Sequence, residues 1–266
     1  MTAINPARLK IQCADLVKSF GNPDVFIPQL HDLFGFYASR VRHTGIKRIP
    51  LTLQTYQVPP PVFRALETEI DPDLNTHPSQ GLLLIDAIWE EEWLEFRQLA
   101  VIMLGNLPPI NTDPILMRIK SWLSTSTSEI VRSFIPTRGI RRLTSEDPDL
   151  VLDFFEDLLT DPSKKNCQTV LFGLIQFSSD QKFYNLPVIY SILGKILLIE
   201  EKGLVKETQD LLTQLINRSE QETMYFLVQQ LSTASKPRIL RVARGVLPKF
   251  SGENQTLLRE SIHNYS

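Results

Sequence analysis

The residues best suited to chemistry lie in one short run, IWEEEWLEFRQLA, at positions 88–100. It contains Trp89, Trp93, three successive glutamates and Arg97. Glutamates can act as general acids or bases, and tryptophans offer surfaces on which a planar ligand can stack. A glycosidase-like pair of carboxylates is not indicated, because adjacent residues of a helix point in different directions and no opposing acid is identifiable. The pattern instead favours tryptophans packed between helices and glutamates on a solvated face.

We expect this run to lie within a helical segment over residues 81–107, where apolar residues recur three to five positions apart and Pro108 ends the pattern. On such a helix, Trp89 and Trp93 share one face because they are four residues apart. Trp89, Trp93 and Trp122 are therefore predicted to be structural. Trp93 is expected to be the more buried of the first two, since large apolar residues follow it.

Segments of helical length recur along the rest of the chain, separated by proline-marked turns. Helices of about 10 to 16 residues at intervals of about 20 are typical of repeat proteins built from helix pairs. The fold class predicted is all-α, an α-solenoid (α-α superhelix) of about six HEAT-like antiparallel pairs in a right-handed curved array. A compact helical bundle is the alternative. We expect one domain over 1–266, with N-terminal helices at 1–40, a core at 41–245 and a C-terminal capping helix at 246–266.

The composition indicates a folded chain without a dominant charge. Of 266 residues 42% are hydrophobic, and 28 Lys plus Arg against 30 Asp plus Glu give a net charge of −2. This balance predicts no bulk attraction to nucleic acid or to anionic membranes, so such binding would need local patches. No apolar stretch reaches the roughly 20 residues that span a bilayer, and the first residues lack the apolar core of a secretory signal. A soluble, cytoplasmic monomer without membrane association is expected.

No metal site, disulfide or cofactor is predicted. Cys13 and Cys167 lie outside any CxxC pattern and far from paired histidines, so they are interpreted as small buried thiols. The four histidines are scattered without ligand spacing, and none is assigned a catalytic role: His31, His43, His77 and His263.

The order of segments resembles the core of the bacterial DNA alkylation repair family, HEAT-like-repeat glycosylases that excise alkylated purines. IDAIWEEEWLEFRQLAVIMLGNL is followed by ILMRIKSWLSTSTSEIVRSF, and the phrase at residues 57–64 is similar to the short motif that precedes the family's first repeat. The similarity covers about residues 40 to 245. It is most specific at Trp89, Glu95, Arg97, Leu99, Ala100 and Trp122.

The resemblance implies a catalytic motif that this chain does not reproduce. In the family an aromatic residue and, four positions later, an aspartate stand where this chain has Ser128 and Arg132. A guanidinium would repel the cationic sugar that the aspartate stabilises. A tryptophan that the family carries further on is also missing, since none follows Trp122. Glu129 is the one candidate for a substitute acid, and its alternative interpretation is a glutamate favoured by a helix N-terminus. Whether the chain is an enzyme is therefore left open.

Two basic runs could follow a phosphate backbone. Residues 132–142 carry several arginines and no acid, and so do residues 236–249, where arginines recur every three positions. The candidate nucleic-acid-binding residues are Arg132, Arg138, Arg141, Arg142, Arg238, Arg241 and Arg244. Alternatively, each run forms a solvated face or salt bridges to the acidic segment 67–95.

Two functions follow from the sequence. The first is a divergent relative of the alkylation repair proteins that binds duplex DNA through a basic concave surface, with excision altered or lost. The second is a protein-interaction scaffold of the HEAT-repeat type that binds a protein partner on the concave face and has no enzymatic activity.

Overall fold

The computed structural model describes residues 4–38, 53–110, 112–199, 203–233 and 237–265. Within these ranges every regular element is helical, which confirms the predicted all-α class. His43, and Lys236 at the start of the second basic run, lie outside the described residues. The chain divides into two compact units, Met1–Pro148 and Asp149–Ser266.

The helices of the first unit are α1 (Pro6–Val17), α2 (Pro23–Tyr37), α3 (Pro60–Thr76), α4 (Pro78–Glu90), α5 (Leu94–Asn106), α6 (Asp113–Thr125), α7 (Glu129–Arg138) and α8 (Arg141–Glu146). Those of the second are α9 (Pro148–Leu158), α10 (Lys164–Ser179), α11 (Leu186–Leu198), α12 (Val205–Arg218), α13 (Glu220–Thr233), α14 (Pro237–Val246), a short 3₁₀ helix (Leu247–Lys249) and α15 (Gly252–Asn264). No helix among these is long and apolar enough to cross a membrane.

Proline and serine mark many of the helix starts. Pro60, Pro78 and Pro148 each occupy the first position of a helix, where the missing N–H has no intrahelical partner to lose. Ser128 and Ser163 cap α7 and α10, because their hydroxyl oxygens accept hydrogen bonds from backbone N–H groups three residues later. Local sequence chemistry therefore sets these boundaries.

In the first unit, helices contact both their neighbour in sequence and the helix after that. The chain of contacts runs from α1 to α3, α5 and α7, while α2 contacts α4. The central helix is α5, which packs against α3, α4, α7 and α8. Its residues 99–105 are all buried, so this helix is apolar on nearly every side.

The second unit repeats the same order of contacts. There α10 packs against α12 and α12 against α14, while α13 packs against α15. Arg218 at the end of α12 fixes the α10–α11 connection, because its guanidinium donates to the backbone carbonyls of Ser178 at 3.1 Å and Phe183 at 2.6 Å. Both units thus place alternate helices side by side.

The two cysteine side chains are buried, Cys13 in the first unit and Cys167 in the second. Burial, with a smaller contribution from the charge of Glu69, raises the pKa of the Cys13 thiol to about 12. The thiol is therefore neutral at physiological pH, and it packs as a small apolar group.

Candidate functional site

Trp89, Trp122 and Arg97 form one stack in the first unit. The rings of Trp89 at the end of α4 and Trp122 in α6 lie nearly parallel, 8° apart, with their centroids separated by 3.9 Å. The guanidinium carbon of Arg97 lies 4.4 Å from the Trp89 ring centroid, within cation–π range. Both tryptophans are buried, with 5% and 4% of their surface exposed. The structural role predicted for these two residues is thus supported by their packing.

The expected single helix over 81–107 is wrong, because the chain leaves helical geometry between Glu90 and Leu94. In this link, which we call the Glu91–Trp93 link, the backbone N–H of Leu94 donates to the carbonyl of Gln54 at 2.8 Å, and Gln54 N–H donates to the carbonyl of Glu92 at 3.1 Å. A distant segment therefore pairs with the backbone at the point where the helix would have continued.

The break changes which side chains share a face. Trp93 stacks on Tyr56, with ring centroids 4.0 Å apart and an interplanar angle of 15°, and it is only half-buried. The expectation that Trp93 is more buried than Trp89 is therefore wrong.

Arg97 donates from Nε to the carbonyl of Glu91 at 2.9 Å. Burial lowers the pKa of Arg97, and the nearby glutamates oppose this shift.

Glu95 is a buried carboxylate that holds the residues before α3. It accepts hydrogen bonds from Thr55 Oγ1 at 2.7 Å, from Gln57 N at 2.7 Å and from Tyr56 N at 3.1 Å. Gln57 adopts a φ of 57°, in the left-handed region, which turns these donors toward one acceptor. We call residues 53–58 the strap. Only 3% of the Glu95 surface is exposed, so the strap supplies the polar partners that a buried charge requires.

His31 connects the strap to α2. One ring nitrogen lies 2.8 Å from Tyr56 Oη and the other 3.2 Å from Glu91 Oε2. Burial raises the pKa of Tyr56, as do the charges of Glu95, Glu91 and Asp32. The His31 imidazole therefore joins the strap to the Glu91–Trp93 link, and we assign it a structural role.

An open cleft of about 780 Å³ lies beside the tryptophan stack, and we call it the tryptophan cleft. One wall carries Asp86, Glu90 and Glu92, and the other is formed by α6 with residues 126–128. Arg118 in α6 reaches across it and forms two hydrogen bonds with Asp86, from Nε to Oδ1 at 2.7 Å and from an Nη atom to Oδ2 at 2.5 Å. The size of the cleft is in the range of ligand-binding pockets.

The positions compared with the family's catalytic motif lie at the start of α7. Ser128 is buried and caps the helix, while Glu129 is exposed in its first turn. Arg132 is half-buried, and its Nε and one Nη atom are buried without a hydrogen-bond partner among the described residues. Position 132 therefore carries a positive charge, whereas the resemblance implies a negatively charged aspartate there.

The first basic run is engaged with the acidic segment. Arg138 and Arg141 both pair with Glu67, each at 3.0 Å, and Arg142 pairs with Glu146 at 2.7 Å. This agrees with the alternative that the run forms salt bridges to residues 67–95. A groove of about 750 Å³ at this place is also lined by Arg64, which the sequence reasoning missed.

The arginines of the second run all belong to α14 and differ in exposure. Arg238 is half-buried and donates from an Nη atom to the carbonyl of Ile199 at 2.8 Å, just after α11 ends. Arg241 and Arg244 are exposed. The opposite face of α14 is buried through Ile239, Val242, Ala243 and Val246. This run therefore combines one anchoring arginine with two that solvent reaches.

Sequence reasoning missed three features of the first unit: the role of Glu95, the Asp86–Arg118 pair and the position of Arg64. Glu95 lies in the first turn of its helix, where the helix dipole favours any acidic residue. The residue type therefore gave no sign that this glutamate binds a distant segment.

Among the described residues no cluster of His, Cys, Asp and Glu side chains could hold a metal ion. Comparison of the chain with family models, with curated proteins and with solved structures found no match.

Proposed function

We propose that this protein is a divergent HEAT-like repeat protein that acts by binding a protein partner, with the tryptophan cleft as its binding site. The repeat assignment rests on the order of helix contacts: within each unit, a helix packs on its neighbour in sequence and on the helix after that, as stacked helix pairs do. The proposal places the protein in the cytoplasm, where buried free thiols such as Cys13 and Cys167 are usual.

The proposal includes kinship with the alkylation repair family, and contacts among the residues that carry the resemblance support it. Trp89, Arg97 and Trp122 form one stack. Glu95 binds backbone N–H groups of the strap, including Gln57, the first residue of the phrase at 57–64. Residues from three separate stretches of the resemblance thus contact one another in a single region of the first unit.

Base excision is not part of the proposal, because the chemistry at the start of α7 has the wrong sign. A carboxylate there would stabilise a developing oxocarbenium ion, whereas the Arg132 guanidinium would destabilise it. Glu129 is exposed in the first helical turn, where the helix dipole favours an acid without any catalytic role.

A protein partner is favoured over DNA by the observation that carries this proposal, which is the pairing of three arginines of the first unit with carboxylates. Arg138, Arg141 and Arg118 are each paired with a carboxylate within the chain. Binding a phosphate there would require breaking an existing ion pair, so the electrostatic gain from counterion release would be reduced.

We expect the purified protein to show no measurable release of 3-methyladenine or 7-methylguanine from methylated DNA, and weak binding to a duplex of about 20 base pairs. Free base is measured by chromatography, and binding by fluorescence anisotropy at about 50 and about 200 mM salt. Robust release of base that Glu129→Gln abolishes would overturn the proposal and identify Glu129 as the working acid. Tight binding with a steep salt dependence would favour DNA as the partner.

Duplex DNA is the second candidate, and the exposure of Arg241 and Arg244 on one helix favours it. If DNA binds, the double variant Arg241→Glu/Arg244→Glu is expected to weaken it and to flatten the dependence of log affinity on log salt by about 0.9 for each phosphate group that the variant no longer neutralises. Arg259→Glu, at an exposed position of α15, serves as the control and is expected to leave the slope unchanged. Equal effects of the two variants would exclude α14 as the specific contact.

A further inference from the structure

The charges of the tryptophan cleft are not balanced within the chain. Arg118 is paired with Asp86, while Arg97 contacts two uncharged groups, the Glu91 carbonyl and the Trp89 ring, and interacts electrostatically with Glu90 and Glu92. Glu90 and Glu92, by contrast, are exposed in the same cleft, and their carboxylates form no hydrogen bond or ion pair with any described residue. Three carboxylates against two guanidinium groups leave the lining with one net negative charge.

The opposite wall offers hydrogen-bond acceptors and an apolar edge. Ser121, Thr125 and Thr127 are exposed there, and 71% of the surface of Met117 is exposed. Hydroxyl oxygens can accept from cationic N–H groups, and a flexible methionine can adapt to an aliphatic chain. One wall thus suits a cationic head and the other suits the methylene stem that carries it.

A phosphate or nucleotide fits this cleft poorly. Asp86, Glu90 and Glu92 outnumber its two arginines by one, so an anion would meet a net negative charge. A lysine or arginine side chain would meet complementary charge, and the volume of about 780 Å³ has room for more than one such side chain. Charge complementarity therefore favours a basic side chain as the ligand of this cleft.

We propose that the tryptophan cleft binds a basic segment of the protein partner by taking up its lysine or arginine side chains between the carboxylates of Glu90 and Glu92 and the α6 wall. The inference rests on the proposed function, in that it names the chemistry of the segment bound at the same site. Glu90 and Glu92 bind the cationic heads, and Met117 contacts their stems.

The test uses the full chain and a fluorescein-labelled peptide of alternating arginine and glycine, with a peptide of alternating glutamate and glycine as the negative probe. We expect anisotropy to show binding of the basic peptide alone. The double variant Glu90→Gln/Glu92→Gln is expected to weaken this binding about tenfold or more. The matched control, Glu253→Gln/Glu260→Gln, removes the same charge from exposed positions of α15 and is expected to bind like the unaltered chain.

Equal weakening by both double variants would overturn the inference, because it would indicate non-specific attraction to overall negative charge. Absence of peptide binding to the unaltered chain would overturn it as well. Thermal melts of each variant verify that it is folded. The proposed function is tested separately, by the DNA-binding and base-release assays. If the peptide does not bind and both of those assays are also negative, the inference of a basic segment is wrong while the proposed function stands.

Discussion

Replacing Glu95 with alanine is expected to lower the free energy of unfolding by about 3 kcal/mol, because the strap loses its common acceptor. The carboxylate is buried and accepts from the hydroxyl of Thr55 and from the backbone N–H groups of Tyr56 and Gln57. Hydrogen bonds to an ionised acceptor are stronger than neutral ones, and each buried donor left without a partner costs about 1 to 3 kcal/mol.

Urea unfolding followed by circular dichroism measures this effect, with Glu92→Ala as the control. Glu92 is an exposed glutamate in the neighbouring Glu91–Trp93 link, and its truncation is expected to change stability by less than about 0.5 kcal/mol. Glu95→Gln should lie between the two, because an amide keeps one acceptor oxygen and turns a donor toward the strap N–H groups. Equal stability of Glu95→Ala and Glu92→Ala would show that the strap does not depend on this carboxylate.

Gly105→Ala is expected to destabilise the first unit by a similar amount, about 3 kcal/mol, because α5 and α7 approach each other too closely there for a side chain. A Cβ atom on Gly105 would overlap the backbone carbonyl oxygen of Arg138 and crowd Gly139. These are backbone atoms, so relief requires moving a helix rather than rotating a side chain.

The matched control is Gly35→Ala in α2 of the same unit. A Cβ atom there would meet one ring carbon of Tyr56 at 3.9 Å, an ordinary contact. Since alanine favours a helix over glycine by up to about 1 kcal/mol, this variant should be as stable as the parent or more so. Denaturant midpoints of the two variants compare them directly, and a stable Gly105→Ala protein would mean that α5 and α7 are free to separate.

Much of the helical architecture could be predicted from local sequence. Pro60, Pro78 and Pro148 each start a helix, since proline fixes φ near the helical value and lacks an N–H that the first turn would leave unpaired. The all-α class follows from the recurrence of apolar residues at helical spacing. The burial of Cys13 and Cys167 was expected from the isolation of each cysteine in the sequence.

Only the tertiary structure decided the form of the candidate site. The apolar spacing continues through residues 88–100, so periodicity could not reveal that Gln54, about 40 residues earlier, pairs with the backbone and ends α4. Glu67 binds Arg138 across a sequence separation of 71 residues. Residue type and local spacing determine helices because their hydrogen bonds join near neighbours, whereas the partner of a buried or paired charge depends on which distant elements packing brings together.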